Sequence, residues 1–321
     1  MLLILALVVV AVPVLALLAQ AAVVLLARAP ARVASIRLGP AAAERSEIPR
    51  VIWTYWEHVP PTALVASCLQ LWQRLAPDHE LRLVDRTTAS RWLGTQIDAA
   101  SFDALPAYRQ ADWLRLQLLI RHGGIWMDGS TLLTTGLDWV HAQHEQVGAG
   151  VVGFYIDRYT TNPGCPIVEN WFLAAPRNDP FIVAWARELD HALSLGEQGY
   201  VDSLRHDDLL AAAAQGIPAD MQSYLIMHLA ASRVLQRQPG DYRLVLQRAE
   251  DVAFAFHARL RWRKTHLYAR LALTPAPRRP PAMIKLRGPD RAVLEKHLAR
   301  GRLWHRSLLA RLLATAARPA P

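Results

Sequence analysis

Hydrophobic and polar positions divide the chain into an apolar opening, a patterned body and a basic end. Leu2 to Ala27 contains no charged side chain and one strongly polar residue, Gln20. As a helix, these 26 residues would extend roughly 39 Å, more than the ~30 Å hydrocarbon core of a bilayer. The pattern predicts a transmembrane anchor over residues 1–27, in which Pro13 is tolerated as a kink.

The residues that flank this segment predict its orientation. Nothing basic precedes the apolar run, and the run is long for a signal peptide, which is the competing interpretation. Arg28, Arg32 and Arg37 follow it, so the positive-inside tendency predicts a single-pass protein with a cytoplasmic body, as in a bacterial inner membrane. A lumenal body stays open as an alternative, because flanking charge only biases orientation.

The body reads as alternating strands and helices. Residues 28–47 have the Ala/Pro-rich composition of a stalk, and the body runs over 48–275, where a Pro/Arg stretch begins. Strand-like runs lie at 51–56, 81–84, 125–127 and 151–156. Helical spacing lies at 62–75, 87–93, 108–122, 168–193 and 222–235. This order predicts an α/β fold with a mainly parallel sheet flanked by helices.

Composition narrows the class of protein. With 321 residues, 52% of them hydrophobic, the chain can bury a full core. Cys68 and Cys165 are too few for a disulfide framework or a cysteine-rich zinc site, and two buried thiols point to a reducing compartment.

The net charge of +9 belongs to the end of the chain. Residues 258–321 carry 16 Lys and Arg against two acids, which leaves 20 basic and 25 acidic residues before them. The basic end is therefore weak evidence for a nucleic-acid partner, and none is expected. The extension 276–321 includes a basic helical tail, 290–316, suited either to an anionic membrane surface or to packing on the body.

Three charged residues form the most informative constellation. Asp112 and Arg115 are three positions apart and share one face of the predicted helix 108–122. Asp128 follows the strand 125–127, at the edge where open α/β sheets bind ligands. A pocket of this kind suits transfer of a sugar from a nucleotide donor, because a diphosphate leaving group needs fixed cations and a carboxylate that holds metal or ribose.

Three ordered blocks carry a resemblance to a known family. They are Ile48-Pro49-Arg50-Val51-Ile52-Trp53, Ala111-Asp112-Trp113-Leu114-Arg115 and Gly123-Gly124-Ile125-Trp126-Met127-Asp128-Gly129-Ser130. In these blocks the chain resembles the capsular polysaccharide synthesis and family 32 glycosyltransferases, relatives of the yeast initiating mannosyltransferases and the large clostridial glucosylating toxins. The resemblance implies a GT-A type, Rossmann-like nucleotide-sugar fold, metal assistance and retention at the anomeric carbon.

The resemblance also implies roles for individual residues. Trp53 would lie against the nucleotide base, Asp112 and Arg115 would bind the donor sugar, and Asp128 would bind ribose or metal. The family pattern ends in Asp-X-Asp, whereas this chain has Ser130 at the last position. A Mn²⁺ or Mg²⁺ ion is expected at Asp128 and Ser130, but a hydroxyl is a weaker ligand than a carboxylate, which argues against strict metal dependence.

Two further residues are candidates for the donor site. His228 lies mid-helix, either as a satisfied core histidine or as part of the diphosphate or acceptor side, and Lys285 either is a plain exposed lysine or reaches the donor diphosphate. The sequence thus predicts a membrane glycosyltransferase with a glycan or lipid-linked acceptor, in surface polysaccharide or glycolipid assembly. The alternatives are a catalytically lapsed scaffold that binds a nucleotide sugar or glycan and, on the basic tail alone, a nucleic-acid binder.

Overall fold

The computed structural model describes residues 2–40, 46–57, 59–94, 99–148 and 150–318, with the backbone alone for 2–11, 13, 99–101 and 147. The strands in this part of the chain are β1 (Ser35–Leu38), β2 (Val51–Tyr55), β3 (Glu80–Val84), β4 (Gly124–Met127), β5 (Thr131–Leu133), β6 (Val151–Tyr155), β7 (Val168–Ala175), β8 (Leu244–Arg248) and β9 (Met283–Lys285).

Helices connect and cover these strands. The α-helices are α1 (Leu2–Leu26), α2 (Ala63–Leu75), α3 (Ala89–Leu93), α4 (Ala99–Ala104), α5 (Ala107–His122), α6 (Asp138–Val147), α7 (Pro180–Leu195), α8 (Glu197–His206), α9 (Leu210–Ala214), α10 (Ile226–Arg237), α11 (Ala255–Arg259), α12 (Lys264–Tyr268), α13 (Gly288–Leu298) and α14 (Leu308–Ala316). Short 3-10 helices lie at Asp157–Tyr159, Ala219–Met221 and Ala249–Asp251, and a π-helix at Ala269–Leu273.

A seven-stranded sheet organises the fold, in the order β1-β8-β6-β7-β4-β2-β3. Strands β2, β3, β4, β6 and β8 run in one direction, and β7 and β1 run the opposite way. The predicted α/β class with a mostly parallel sheet is therefore confirmed. Apolar side chains on the two faces of the sheet belong to two separate core clusters, one packed against α2 and α14, the other against α5, α7 and α10.

Most elements predicted by hydrophobic period are present, but the prediction of one helix over 168–193 is wrong in its first third. Residues Val168–Ala175 form β7, which pairs with β4 and β6 in the middle of the sheet, and the helix begins only at Pro180. Seven of the eight residues of β7 are buried. A strand covered on both faces loses its alternation, so its apolar run cannot be distinguished from a buried helix by periodicity.

The predicted stalk also contributes to the sheet. Ser35–Leu38, within the range 28–47, is the edge strand β1 and pairs with β8 in antiparallel register from Ser35 opposite Gln247. In the part of the chain that the structure describes with side chains, no helix is long and apolar enough to cross a membrane. The predicted anchor over residues 1–27 is thus not supported by the structure, and it stays a prediction.

The basic end packs on the body. The predicted single helix 290–316 is two helices, α13 and α14, and Leu308, Leu309 and Leu312 of α14 are buried in the core cluster that includes α2. The apolar face predicted to meet a membrane is therefore covered by protein, and the packing alternative is confirmed. Strand β9 precedes α13 and pairs with β5, with Lys285 opposite Thr131.

Candidate active site

A cleft of about 910 Å³ opens where several strand ends meet. The residues that follow the carboxyl ends of β2, β4 and β6 line it, together with the amino-terminal part of β7, which runs antiparallel to β4 and β6. Side chains from α5, α10 and the segment after β9 complete its walls. This edge of an open α/β sheet is where ligands are usually bound.

Asp112, Arg115 and Asp128 converge in this cleft, as the sequence predicts. Arg115 Nη2 lies 3.2 Å from Asp112 Oδ1 and 3.5 Å from Asp128 Oδ1. Asp112 and Arg115 are buried, whereas the Asp128 side chain is 26% exposed toward the cleft. Arg115 Nη1 is also buried and has no hydrogen-bond partner among the described residues.

Arg109 extends this set, although the sequence reasoning missed it. Its Nη1 lies 2.8 Å from Asp112 Oδ2, and its Nε lies 2.8 Å from Glu197 Oε1. Asn170 donates from Nδ2 to Asp112 Oδ1 at 3.1 Å. Both oxygens of Asp112 are therefore occupied, and charges alternate from Glu197 through Arg109, Asp112 and Arg115 to Asp128. The signal was present in the sequence, since Arg109 precedes Asp112 by three positions on the same helical face.

The aromatic residue of the Gly-Gly block positions two of these charges. Trp126 Nε1 donates to Asp128 Oδ1 at 3.0 Å, and the Arg115 guanidinium lies 5.0 Å from the centroid of the Trp126 ring. The indole ring therefore binds the Asp128 carboxylate through the N–H at its edge and the Arg115 guanidinium over its face.

The two glycines make the turn that brings α5 next to β4. Gly123 has φ of 64° and Gly124 has φ of 102°, both in the region that favours glycine. A Cβ at Gly124 would lie 2.5 Å from Val51 Cγ1 and 2.7 Å from Val51 O. The close approach of β4 to β2 thus requires glycine, and it sets Asp128 against Arg115.

Lys285 reaches the same carboxylate from β9. Its Nζ lies 2.8 Å from Asp128 Oδ2 and 3.2 Å from Ser130 Oγ. Burial alone would raise the pKa of Asp128, but the charges of Lys285 and Arg115 and the hydrogen bonds from Lys285 and Trp126 outweigh it and lower the pKa. Asp128 is therefore an anion at neutral pH.

This arrangement does not fit a divalent cation between the two predicted ligands. Asp128 and Ser130 both contact the Lys285 ammonium, and the Ser130 hydroxyl donates to Leu286 O at 2.9 Å. Among the described residues, no group of three or more His, Cys, Asp or Glu side chains could hold a metal ion. Mg²⁺ is commonly bound through one or two carboxylates together with phosphates and waters, and here Asp128, the carboxylate that would bind it, is already paired with Lys285.

Trp53 does not take the predicted position against a nucleotide base. It is fully buried, its Nε1 donates to Gly123 O at 3.0 Å, and its ring packs on Trp92 and His122. The next two aromatic residues along the chain, Tyr55 and Trp56, line the cleft instead. Trp53 and Tyr55 share one face of β2, but Trp53 lies in the middle of the strand and Tyr55 at its carboxyl end, so only Tyr55 reaches the edge of the sheet that meets the site.

His228 lines the cleft and is buried. Its Nε2 lies 3.6 Å from Glu169 Oε2, and its Nδ1 has no partner within the described part of the chain. Tyr224, one turn earlier, also lines the cleft and is half-exposed. The site-facing alternative for His228 is thus the one its position favours.

Cations gather at the mouth of the cleft near the start of α13. Arg158, Arg287 and Arg291 line this part, with Arg291 4.9 Å from the centroid of the Trp56 ring. Arg287 is held by Asp290, whose pKa lies well below its ordinary range: burial raises it, but the hydrogen bonds from His257 and Arg287 and the charge of Arg287 prevail. These arginines were not singled out by the sequence, because no motif marks them.

Comparison with known proteins agrees with the motifs. The sequence profile of the family described as capsular polysaccharide synthesis protein matches residues 35–202, slightly more than half of the chain. The chain belongs to this family. Its match begins at β1 and includes the three blocks that carry Asp112, Arg115 and Asp128.

One curated relative of this chain is named as a glycosyltransferase, the predicted class of enzyme. The O-glycosyltransferase braB of Annulohypoxylon truncatum is 28% identical over 152 residues, which cover 42% of this chain and 35% of that relative. This chain thus spans about a third of its length. A solved structure titled PaToxG Glycosyltransferase aligns with 68% of this chain and 85% of its own at 14% identity and a TM-score of 0.33, too low to carry a structural argument.

Proposed function

We propose that this chain transfers a sugar from a nucleotide-sugar donor to a glycan or lipid-linked acceptor in the assembly of cell-surface polysaccharide. The observation that carries the proposal is the convergence of Asp112, Arg115 and Asp128 with Lys285 at one edge of the sheet. Family membership and the name of the fungal relative support it. The GT-A type of the fold is part of the same proposal.

Each side chain has a role that its chemistry supports. Lys285 and the arginines at the start of α13 would bind the donor diphosphate, because cationic donors in a partly dry cleft stabilise its developing charge. Arg115, which lines the cleft, would bind a sugar or phosphate oxygen. Asp128 would accept from donor hydroxyls at its exposed side, and Tyr55 and Trp56 offer aromatic surface for the base.

The reaction balances without an enzyme nucleophile. The bond between the anomeric carbon and the diphosphate oxygen breaks, and its electron pair stays on that oxygen. The acceptor hydroxyl oxygen bonds to the anomeric carbon, and its proton passes to the departing diphosphate. Both oxygens of Asp112 are already paired, which favours front-face attack by the acceptor, with retention, over a covalent enzyme intermediate.

A donor panel tests this proposal. Release of nucleoside diphosphate is measured with UDP-glucose, GDP-mannose and ADP-glucose, for the wild type, Asp128→Asn and the control Asp207→Asn, an exposed residue in the loop after α8. We expect turnover of at least one donor by the wild type and the control, and loss of about 100-fold or more in Asp128→Asn. Tight donor binding without turnover would favour the lapsed scaffold, and absence of both would contradict the proposal.

We also propose that α1 attaches the enzyme to a membrane, with the body on the cytoplasmic side. Several apolar side chains in its second half are well exposed, including Leu15, Leu18 and Leu26 at 61–67%. The end of the segment is fixed to the body, since Val24 and Ala27 are buried and Arg270 Nε donates to Ala27 O at 2.9 Å. Full-length protein should stay in the membrane pellet after alkaline carbonate washing, and its release would contradict attachment.

A further inference from the structure

Lys285 occupies the position at which the family pattern predicts a metal ion. Its Nζ bridges Asp128 Oδ2 at 2.8 Å and Ser130 Oγ at 3.2 Å, the two groups that would have held the cation. A divalent ion bound by these oxygens would lie within about 2–2.5 Å of them, and so against the ammonium. One cation therefore excludes the other.

Backbone pairing, and not a flexible side chain alone, sets this position. Strands β5 and β9 place Lys285 opposite Thr131, and Leu286 N donates to Ser130 O at 2.9 Å. Met283, Ile284 and Leu286 around it are buried. The lysine is therefore delivered to Asp128 by the same ladder that fixes Ser130.

The exchange of aspartate for serine has a local reason in this arrangement. The Ser130 side chain is buried and donates from Oγ to Leu286 O at 2.9 Å. A carboxylate in the same place would accept only, and it would face a carbonyl oxygen in a buried site, which costs free energy. The residue that weakens the metal site thus stabilises the strand that carries the lysine.

From these contacts we propose that Lys285 replaces the divalent cation, so that this enzyme binds and transfers its donor without a metal. The inference rests on the proposed function. Lys285 lines the same cleft as Arg287 and Arg291, so the diphosphate would be neutralised by fixed side-chain cations. Asp128 orients the lysine, and the ammonium supplies the charge that a bound cation would otherwise give the leaving group.

Calorimetric titration of the full-length wild type with UDP, GDP and ADP separates the alternatives. Each nucleotide is titrated in EDTA and again in excess MnCl₂, and the donor-panel turnover is measured under both conditions. We expect dissociation constants for the bound nucleotide that agree within about twofold, and turnover that persists in EDTA. Binding or turnover that vanishes in EDTA and returns with Mn²⁺ would overturn the inference while leaving the proposed function standing.

A pair of lysine variants adds an independent readout. In EDTA, Lys285→Met should weaken nucleotide binding by about tenfold or more, because a charge-assisted contact to phosphate is lost. Lys296→Met, an exposed lysine on α13, should bind as the wild type does. Equal affinity in both variants would overturn the inference, and no nucleotide binding by the wild type in either buffer would contradict the proposed function itself. The EDTA comparison uses the wild type and so decides even if a variant is unstable.

Discussion

Arg109 Nη1 and Asp112 Oδ2 lie 2.8 Å apart, one turn from each other on α5, and both side chains are buried. This pair places Asp112 between two arginines, since Arg115 contacts its other oxygen at 3.2 Å. The position of Arg115 at the cleft therefore depends on Arg109, which does not itself line the cleft. Arg109 is a positioning residue. Its Nη2 donates hydrogen bonds to the backbone carbonyl oxygens of Ser223 and Tyr224, and these bonds connect α5 to the segment before α10.

Removing Arg109 should destabilise the fold. Arg109→Met leaves Asp112 with one cation in place of two and removes two partly buried hydrogen bonds to carbonyl oxygens, and breaking a buried ion pair costs about 3–5 kcal/mol. Denaturant unfolding measures the free energy, with Arg300→Met, an exposed arginine, as the control. A loss no larger than that of the control would show that the pair contributes little.

Gly124→Ala should also destabilise strongly. The new Cβ would meet the backbone oxygen of Val51 at 2.7 Å, and φ of 102° is unfavourable for alanine. We expect a loss of about 2 kcal/mol or more in the free energy of unfolding. Gly199→Ala, in the first turn of helix α8 with the nearest neighbour of the new Cβ at 3.6 Å, is the matched control and should be neutral or stabilising. Similar behaviour of the two variants would contradict the tight β2–β4 approach.

Asp179, the N-cap of α7, should make stability depend on pH. Burial raises its pKa to about 6, although the amides of Phe181 and Ile182 and the charge of Arg243 oppose the shift. The folded state then binds the proton more tightly than the unfolded chain, whose aspartates titrate near pH ~3.9. Stability is accordingly expected to fall as pH rises from about 4 to 6, and to stay lower above that range.

Asp179→Asn checks this sign directly. Asparagine keeps the acceptor for the cap and carries no charge, so the variant should be more stable than the wild type at pH 7, by at most about 3 kcal/mol in the free energy of unfolding, and equally stable near pH ~4. Thermal unfolding across this pH range measures the difference. A variant that is less stable than the wild type at pH 7 would show that the ionised cap is favourable.

The two thiols should be unreactive in the folded protein. Burial raises the pKa of Cys68 to about 12 and also raises that of Cys165. Thiolate is the reactive form, so neither should react with a thiol reagent at pH ~8 until the chain is denatured. Rapid modification of either cysteine in the native state would contradict the packing of α2 or of the segment before β7.

Local patterns predicted most of the elements, because hydrophobic period and glycine signals act over a few residues. The same patterns could not predict β7, whose burial on both faces removes its alternation. They placed Asp112, Arg115 and Asp128 together, since one helix and one strand joined by two glycines carry all three. The role predicted for Trp53 against a nucleotide base was wrong, because the orientation of its ring depends on Trp92 and His122, which lie elsewhere in the chain.

The contact of Lys285 with Asp128 is another feature that local patterns could not predict. A contact between positions 157 apart depends on the pairing of β5 with β9, which no local pattern encodes. Lys285 contacts Ser130, so the serine that replaces the second aspartate of the family pattern belongs to the same site as Asp128. The sequence could not predict the arginines at the start of α13 as cleft residues, because their position depends on how the end of the chain packs on the body.

The affinity of Arg115→Met for the donor that the panel identifies tests the central claim most directly. Arg115 joins Asp112 to Asp128 and keeps one buried donor without a partner among the described residues. If this cleft binds the activated sugar, the dissociation constant should rise by about tenfold or more relative to the wild type and to Arg300→Met. Unchanged affinity in a folded Arg115→Met protein would mean that the donor binds elsewhere.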